Sequence, residues 1–237
     1  MGDPEEQCTG SAWQNGNLGQ SQAHYQEGDT VPYRAIIANA QLGEEYTVTI
    51  EWDTTKDGKH AIDYLKTFNA TEETADPCTG VAGAICGGPT LEPIPNDPNV
   101  VSEGVTPSGG SFTTYNGHVT NVSGYTRTGS YEGSSSTKIV ITIAPNADGS
   151  IVLAWGGHIA TRADWGADSS AVAIPGSPYH MRLVGFSCSN PTNCSVGNQD
   201  RSLSSEAIIF PAHVTITKLA VPQSEQRFLH SPQLALD

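Results

Sequence analysis

Three histidine-containing segments carry the residue types of this chain that are best suited to chemistry. They contain His60 with Asp63, His158 followed by Asp164, and His180. Imidazole nitrogens and carboxylate oxygens bind zinc and copper, and three imidazoles with one open position suit such a metal. One hypothesis is therefore a metal site in which the three histidines are ligands and one of the two carboxylates completes the set.

The spacing of these residues also fits a purely structural role. No HExxH or H-x-H pattern joins the histidines, and they come from distant segments of the chain. His158 lies close in sequence to Arg162 and Asp164, so charge-assisted hydrogen bonds among the three could lock two loops together. Of the two interpretations, we favour a buried polar network that needs no ligand.

Two other chemistries are weighed against the same residues. Calcium prefers oxygen ligands, but the aspartates in predicted turns do not follow the EF-hand spacing, and aspartate suits turn geometry by itself. A hydrolase would need a nucleophile elbow or two facing carboxylates. No G-x-S-x-G pattern occurs, and a carboxylate pair cannot be identified from sequence. The sequence therefore favours a non-catalytic protein over an enzyme. The aspartates concerned are Asp53, Asp57, Asp148, Asp164, Asp168 and Asp200.

Aromatic and charged residues outside the histidine segments suggest a binding surface. Trp155 and Trp165 could stack on a sugar ring if their faces are exposed, although tryptophan more often packs in a core or against a loop. Asp200 and Arg201 follow a Gly/Asn/Gln loop, and loops on a rigid scaffold often carry binding sites. Carbohydrate is therefore a candidate ligand beside zinc and calcium.

Charge and hydropathy exclude two classes of partner. The chain has 237 residues, of which 25 are acidic and 11 basic, giving a formal charge of −14. A nucleic-acid-binding protein needs a basic face, which this balance does not provide. No apolar run reaches the roughly 20 residues of a membrane-spanning helix, so we expect neither nucleic-acid binding nor membrane insertion.

Five cysteines point to an oxidising compartment. Cys78 and Cys86 flank a short Gly-rich loop, and Cys188 and Cys194 flank a second loop. Neither spacing matches a zinc motif, so two local disulfides are the simplest interpretation. Disulfides persist outside the cytosol, which favours an extracellular or cell-surface protein. Cys8 is left without a partner in this pattern.

The hydrophobic pattern predicts an all-β fold. Residues 31–37 read as a strand, and Pro32 places its start at a sheet edge or a strand entrance. Residues 45–52 have the alternation of a half-buried strand. Residues 60–68 fit either a strand or one to two helical turns. Residues 138–143 and 151–155 read as a hairpin within a β-meander over residues 111–160. The sum predicts an antiparallel immunoglobulin-like β-sandwich with long disulfide-tied loops.

Several stretches together resemble a domain found in large, repetitive bacterial secreted and cell-surface proteins. The resemblance covers the chain from about Trp13 to Lys218, and it implies a location and a context rather than an activity, so it assigns no catalytic residue. The stretches that carry it are residues 15–18, 27–29 with 32–34, 58–65, 155–160, 164–166, 176–183 and 197–203.

The last residues resemble a different unit. The stretch from Val214 to Asp237 is similar to the opening strand of a transthyretin-like (prealbumin-like) surface repeat. We therefore divide the chain into a flexible N-terminus at residues 1–11, a β-sandwich domain at 12–218 and a tail at 219–237. An unpaired strand can add to a sheet edge, so the tail either mediates assembly or is idle.

These observations favour a non-catalytic structural or adhesive module of a secreted bacterial surface protein, self-assembling through its C-terminal strand. Its expected partners are other surface-protein domains or copies of itself. The alternative is a carbohydrate- or metal-binding module, and a metal-dependent or glycoside hydrolase is less favoured.

Overall fold

A computed structural model describes residues 13–176, 179–190, 194 and 199–208. Four of the sequence-based predictions lie outside these residues. They are the flexible N-terminus at residues 1–11, the leftover Cys8, the repeat-like stretch from Val214 to Asp237 and, within it, the tail at 219–237.

The described chain forms two antiparallel sheets packed as a β-sandwich, which confirms the predicted fold class. The five-stranded sheet has the order β1-β10-β6-β5, with β4 paired to β10. Its strands are β1 (Thr30–Ala40), β4 (Ile62–Lys66), β5 (Thr90–Pro93), β6 (Ser111–Tyr115) and β10 (Gly149–Ile159).

The second sheet has seven strands in the order β12-β11-β2-β9-β7, with β3 paired to β2 and β8 paired to β9. Its strands are β2 (Tyr46–Lys56), β3 (Lys59–His60), β7 (Gly117–Val122), β8 (Thr126–Gly129), β9 (Ser135–Pro145), β11 (Tyr179–Cys188) and β12 (Gln199–Leu203). Two short helices, α1 (Pro98–Ser102) and α2 (Arg162–Trp165), lie in the loops.

The core forms where the inward faces of the two sheets meet. In β2 every second residue from Tyr46 to Trp52 is buried, as the alternation predicts, and Trp52 is fully enclosed. Pro32 lies in an edge strand, also as predicted. The ambiguous segment at 60–68 is strand rather than helix, because β3 and β4 pair there with β2 and β10.

The predicted hairpin between residues 138–143 and 151–155 is wrong. Both strands exist as β9 and β10, but they belong to different sheets, and residues 146–149 carry the chain across the sandwich. The stretch 111–160 is consequently not a meander. The physical reason lies in burial: β9 alternates and exposes one face, whereas β10 is buried on both faces from Ser150 to Ile159. Strands of such different exposure suit different sheets.

Both predicted disulfides form in the structure. Cys78 is bonded to Cys86 within the long connection between β4 and β5. Cys188 at the end of β11 is bonded to Cys194. Each bond closes a short loop beside a strand, which agrees with a local role rather than a fold-defining one.

Two adjacent glycines allow β10 to be enclosed so tightly. A Cβ atom at Gly156 would lie 2.2 Å from Cγ2 of Thr30 and 2.8 Å from the carbonyl oxygen of Thr67. At Gly157 a Cβ atom would lie 3.2 Å from Ile62. The Trp-Gly-Gly-His sequence at 155–158 therefore reflects close packing of backbone, which only glycine permits here.

We expect Gly156→Ala to lower the free energy of unfolding by about 1–3 kcal/mol, because the added methyl group overpacks the contact with Thr30 and Thr67. Chemical denaturation measures this change. Gly124→Ala is the matched control, since no atom lies within 4 Å of a Cβ there. Equal stability of the two variants would contradict the packing account.

Candidate functional site

A buried carboxylate at one end of the sandwich joins β4, β10 and α2. Antiparallel pairing of β4 with β10 places Asp63 beside His158. Asp63 is 1% exposed and His158 is 5% exposed. Nδ1 of His158 lies 2.7 Å from Oδ1 of Asp63. The same oxygen accepts a hydrogen bond from the backbone N–H of Tyr64 at 3.0 Å. The other oxygen accepts one from the indole N–H of Trp165, also at 3.0 Å.

Aromatic stacking encloses this Asp63 network, which we define as Asp63, Tyr64, His158, Trp165 and His60. The ring of Tyr64 stacks on His158 with centroids 4.2 Å apart. His60 stacks on Trp165 at 3.4 Å. Because both carboxylate oxygens accept hydrogen bonds, the cost of burying the charge is offset within the network. The arrangement holds the ends of three elements together.

Helix α2 places Trp165 over the network. Thr161 caps the helix: its hydroxyl accepts from the backbone N–H of Asp164 at 3.1 Å and donates to the carboxylate of Asp164 at 2.7 Å. Glu27 accepts hydrogen bonds from the backbone N–H and the side chain of Arg162, each at 3.1 Å. Burial would raise the pKa of Glu27, but hydrogen bonds, including those from Val172 and Arg162, lower it instead.

His60 is a buried histidine in an apolar setting. Its ring lies between Trp165 and Tyr131, whose centroid is 4.9 Å away. Its Nδ1 atom is buried and has no hydrogen-bond partner among the described residues. Burial lowers the pKa of His60 to about 4, so the ring is neutral at physiological pH.

A second ionic cluster lies on the outer face of the seven-stranded sheet. Arg182 donates two hydrogen bonds to Asp53, at 2.7 and 3.2 Å, and its Nε lies 3.4 Å from Asp200. Nδ1 of His180 lies 2.8 Å from Asp200. Burial alone would lower the pKa of Arg182, but Asp53, Asp200 and Glu51 raise it. The cluster ties β2, β11 and β12 together across the sheet.

The structure separates the residues proposed as metal ligands. His158 and Asp63 meet in the Asp63 network, and His60 lies beyond Trp165. His180 pairs with Asp200, and Asp164 lies in the first turn of α2, hydrogen-bonded to Thr161. Among the described residues, no group of three or more His, Cys, Asp or Glu side chains is arranged to hold a metal ion. The sequence suggested that His158 bonds to Arg162 and Asp164. In the structure the hydrogen-bond partner of His158 is Asp63.

The tryptophans considered for sugar stacking are engaged with protein groups. Trp155 is 2% exposed and stacks on Tyr33 with centroids 6.2 Å apart. One face of Trp165 is covered by His60. Arg34 lies over the ring of Trp13 at 4.6 Å. Trp155 therefore presents no bare ring face of the kind that stacks on sugars, and Trp165 has one of its two faces covered.

A groove of about 690 Å³ opens between β1, at the edge of the five-stranded sheet, and β11 of the seven-stranded sheet. We call it the edge groove. Strand β1 forms one wall, and residues 181–188 of β11 form the other. Its apolar lining includes Ile37, Val48, Trp155, Leu183 and Phe186.

Polar side chains stand around this apolar lining. Those that line the groove include Arg34, Glu44, Gln199 and Arg201. The sequence suggested Asp200 and Arg201 as a binding pair. Of these two, Arg201 lines the groove, whereas Asp200 belongs to the ionic cluster around Arg182. Pro32, which suggested that β1 is an edge strand, was the sequence signal that pointed to this groove. The opposite wall, formed by β11, could not be inferred from it.

In the described part of the chain, no strand pairs with β1 on the side away from β10. A free edge leaves backbone N–H and C=O groups without strand partners. The side chain of Tyr33 lines the groove, and its buried hydroxyl has no hydrogen-bond partner among the described residues. Ile36 of the same strand is 46% exposed. Among the described residues, the edge groove thus combines an edge without a strand partner with apolar surface.

Comparisons with known proteins add no identification: no family model, no curated protein and no solved structure matches the chain. Within the described ranges, no helix is long and apolar enough to cross a membrane.

We expect Asp63→Asn to lower the free energy of unfolding by about 1–3 kcal/mol, because one of the buried donors then faces an amide N–H₂ instead of a carboxylate oxygen. Thermal and chemical denaturation measure the loss. Asp168→Asn removes the same charge from an exposed residue nearby and should cost less than about 0.5 kcal/mol. Equal costs would contradict a structural role for the network.

The depressed pKa of His60 predicts a pH dependence of stability. The histidine takes up a proton at pH 6.5 in the unfolded chain but only near pH 4 in the folded protein. Protonation therefore favours the unfolded state, and stability is lost as the pH falls from about 6.5 to about 4. Melting curves of His60→Phe, which keeps the ring stack, should show a smaller loss over this interval than the unsubstituted chain. His118→Phe, at an exposed histidine of β7, should leave the loss unchanged.

Proposed function

We propose that this chain is a non-catalytic structural or adhesive module of a secreted bacterial surface protein, and that its edge groove accepts an extended protein strand. The observation that carries the proposal is the edge groove itself: an apolar cleft bordered by β1, whose outer edge has no strand partner among the described residues. Recognition by strand addition uses these two features together, because the backbone of the guest pairs with the edge while alternate side chains fill the cleft.

The composition of β1 supports acceptance of a strand. Natural edge strands are protected by prolines, lysines or bulges. In β1 such features lie near its two ends, at Pro32 and at the irregular register between Ile37 and Ala40. The segment between them contains Tyr33, Ala35 and Ile36 and one charged residue, Arg34. The Arg34 guanidinium is held by the carbonyl oxygens of Pro77 and Thr79 at 2.6 and 2.8 Å, so it is turned toward that loop.

The polar residues whose side chains could take part in chemistry support a structural rather than a catalytic role. Both oxygens of Asp63 accept protein hydrogen bonds, and the Arg182 guanidinium is shared among carboxylates. Each set joins elements of different sequence position, as expected of groups that fix loops and strands. Two disulfides and a formal charge of −14 fit a protein outside the cytosol.

Residue-resolved hydrogen exchange on the full chain tests the proposal. If the edge groove holds a strand, the β1 amides that point away from β10 are protected. Leu183→Glu places a charge in the groove and should raise their exchange rates by about tenfold or more. Val140→Glu introduces the same charge on the outer face of β9 and should leave these rates unchanged. Free exchange at the outer amides of β1 in the unsubstituted chain would overturn the proposal.

A further inference from the structure

We infer that the strand accepted at the edge groove is β1 of a second copy of this chain, paired antiparallel to β1 of the first copy about a two-fold axis. The inference rests on the proposed function, and it names the partner as the chain itself. Three features support it: the backbone groups that β1 leaves open, an exposed apolar side chain at the same edge, and the distribution of charge along the groove.

The direction of the backbone groups in β1 follows from the hydrogen bonds at its start. The N–H of Ile159 donates to the carbonyl oxygen of Asp29 at 2.9 Å, so the backbone of Asp29 faces β10. The next N–H, that of Thr30, instead donates to the hydroxyl of Thr71 at 2.8 Å. Because these groups alternate in direction along an antiparallel strand, those of the even-numbered residues point away from β10.

The regular part of β1 therefore presents two outward N–H groups, at Arg34 and Ile36, since Pro32 has none. In the part of the chain that the structure describes, no strand lies on that side of β1 to accept from them. The side chain of Ile36 is 46% exposed at the same edge. An identical strand laid antiparallel along this edge would offer carbonyl oxygens at the matching spacing and would cover Ile36 of both copies.

The start of β1 lies at the end of the edge groove that Arg201 lines. Trp155, which pairs with Tyr33 near the start of β1, donates its indole N–H to Sδ of Met181 at 3.4 Å. Met181 pairs in turn with Arg201 across β11 and β12. This end of the groove is therefore marked by an arginine.

Glu44 lies at the opposite end of the groove. The backbone N–H of Gln41, which follows β1 directly, donates to the hydroxyl of Tyr46 at 3.0 Å, and Tyr46 pairs with Cys188 at the end of β11. Glu44 stands in the turn between Gln41 and Tyr46 and lines the groove. The length of β11 from Met181 to Cys188 separates the two ends of the groove by roughly 20 Å.

Neither of these two charges forms an ion pair with another described residue. The guanidinium of Arg201 donates to the carbonyl oxygen of Asp200 at 2.6 Å and to the side-chain oxygen of Gln199 at 3.3 Å. The carboxylate of Glu44 accepts a hydrogen bond from the hydroxyl of Ser189. Both side chains thus retain a charge that a partner molecule can complement.

A two-fold axis across this edge brings the two charges together. Two identical subunits related by a two-fold axis contact each other through the same patch, which must therefore complement itself. Antiparallel pairing places the Arg201 end of one groove at the Glu44 end of the other, whereas parallel pairing would bring like charges together. Because each copy carries a formal charge of −14, this local attraction offsets part of the general repulsion between copies.

Charge reversals in the full chain test the inference. Light scattering over a concentration series should show a mass approaching twice the 24.9 kDa of one chain, and hydrogen exchange at the amides of Arg34 and Ile36 should slow as the concentration rises. Arg201→Glu and Glu44→Arg should each weaken dimerisation by about tenfold or more, because each brings like charges together. The double variant should regain the dissociation constant of the unsubstituted chain to within about threefold.

Lys56→Glu is the matched control, since it makes the same reversal at a half-exposed side chain that does not line the groove. It should leave dimerisation unchanged. The amides of β9, which lies in the other sheet, report whether each variant is folded.

The remaining outcomes overturn the inference. The mass of a single chain at every concentration, with the amides of Arg34 and Ile36 protected, would show that the strand does not come from a second copy. A dimer that the double reversal fails to restore would show that the antiparallel arrangement is wrong. In both cases the strand-accepting groove of the proposed function stands. Free exchange at these two amides in the concentrated, unsubstituted chain would overturn the inference and the proposed function together.

Discussion

The burial of β10 on both faces is the constraint on which the rest of the structure depends. One strand that is enclosed over ten successive residues requires neighbours at both edges and cover on both faces. β1 and the pair β4 and β6 supply the edges, and Phe68 and Ala75 pack on Ala154 from the loop side. The paired glycines at 156 and 157 let these neighbours approach closely enough.

The same strand links the two candidate sites. Trp155 reaches the edge groove, and three residues later His158 reaches Asp63 at the end of the sandwich. Between them lie only the two glycines, so the positions of the groove floor and of the buried histidine are set by one rigid piece of backbone. The Asp63 network stabilises the loops at this end, whereas the groove leaves the side of the sandwich open. Within the described residues, the buried polar side chains of the network and the open outer edge of β1 therefore lie at different places on the sandwich.

Sequence patterns correctly predicted the features that depend on residues near one another in the chain. The alternation from Tyr46 to Trp52 identified β2, and the short spacing of Cys78 and Cys86 identified a disulfide, because each property depends on neighbouring residues. Sheet membership of β9 and β10 does not depend on neighbours alone, and the tight turn between them suggested a hairpin that does not exist. Only the burial of both faces of β10 distinguishes the two cases, and an apolar run in sequence does not say which elements will cover it. The partner of His158 was missed for a similar reason: Asp63 is 95 residues away in the chain, whereas Arg162 and Asp164 are near in sequence but point elsewhere.

The pairing of β1 with β10 also has a consequence for how the chain reaches its folded state. Thr30 pairs with His158, so the first strand of the sheet finds its partner only after more than a hundred intervening residues are available. Contacts between residues so far apart close large loops, and the chain loses conformational entropy before the hydrogen bonds form. Proteins dominated by such contacts therefore fold slowly. During synthesis β1 would remain without a sheet until residue 159 has emerged. Strand β1 of the newly made chain therefore spends an extended period without its partner.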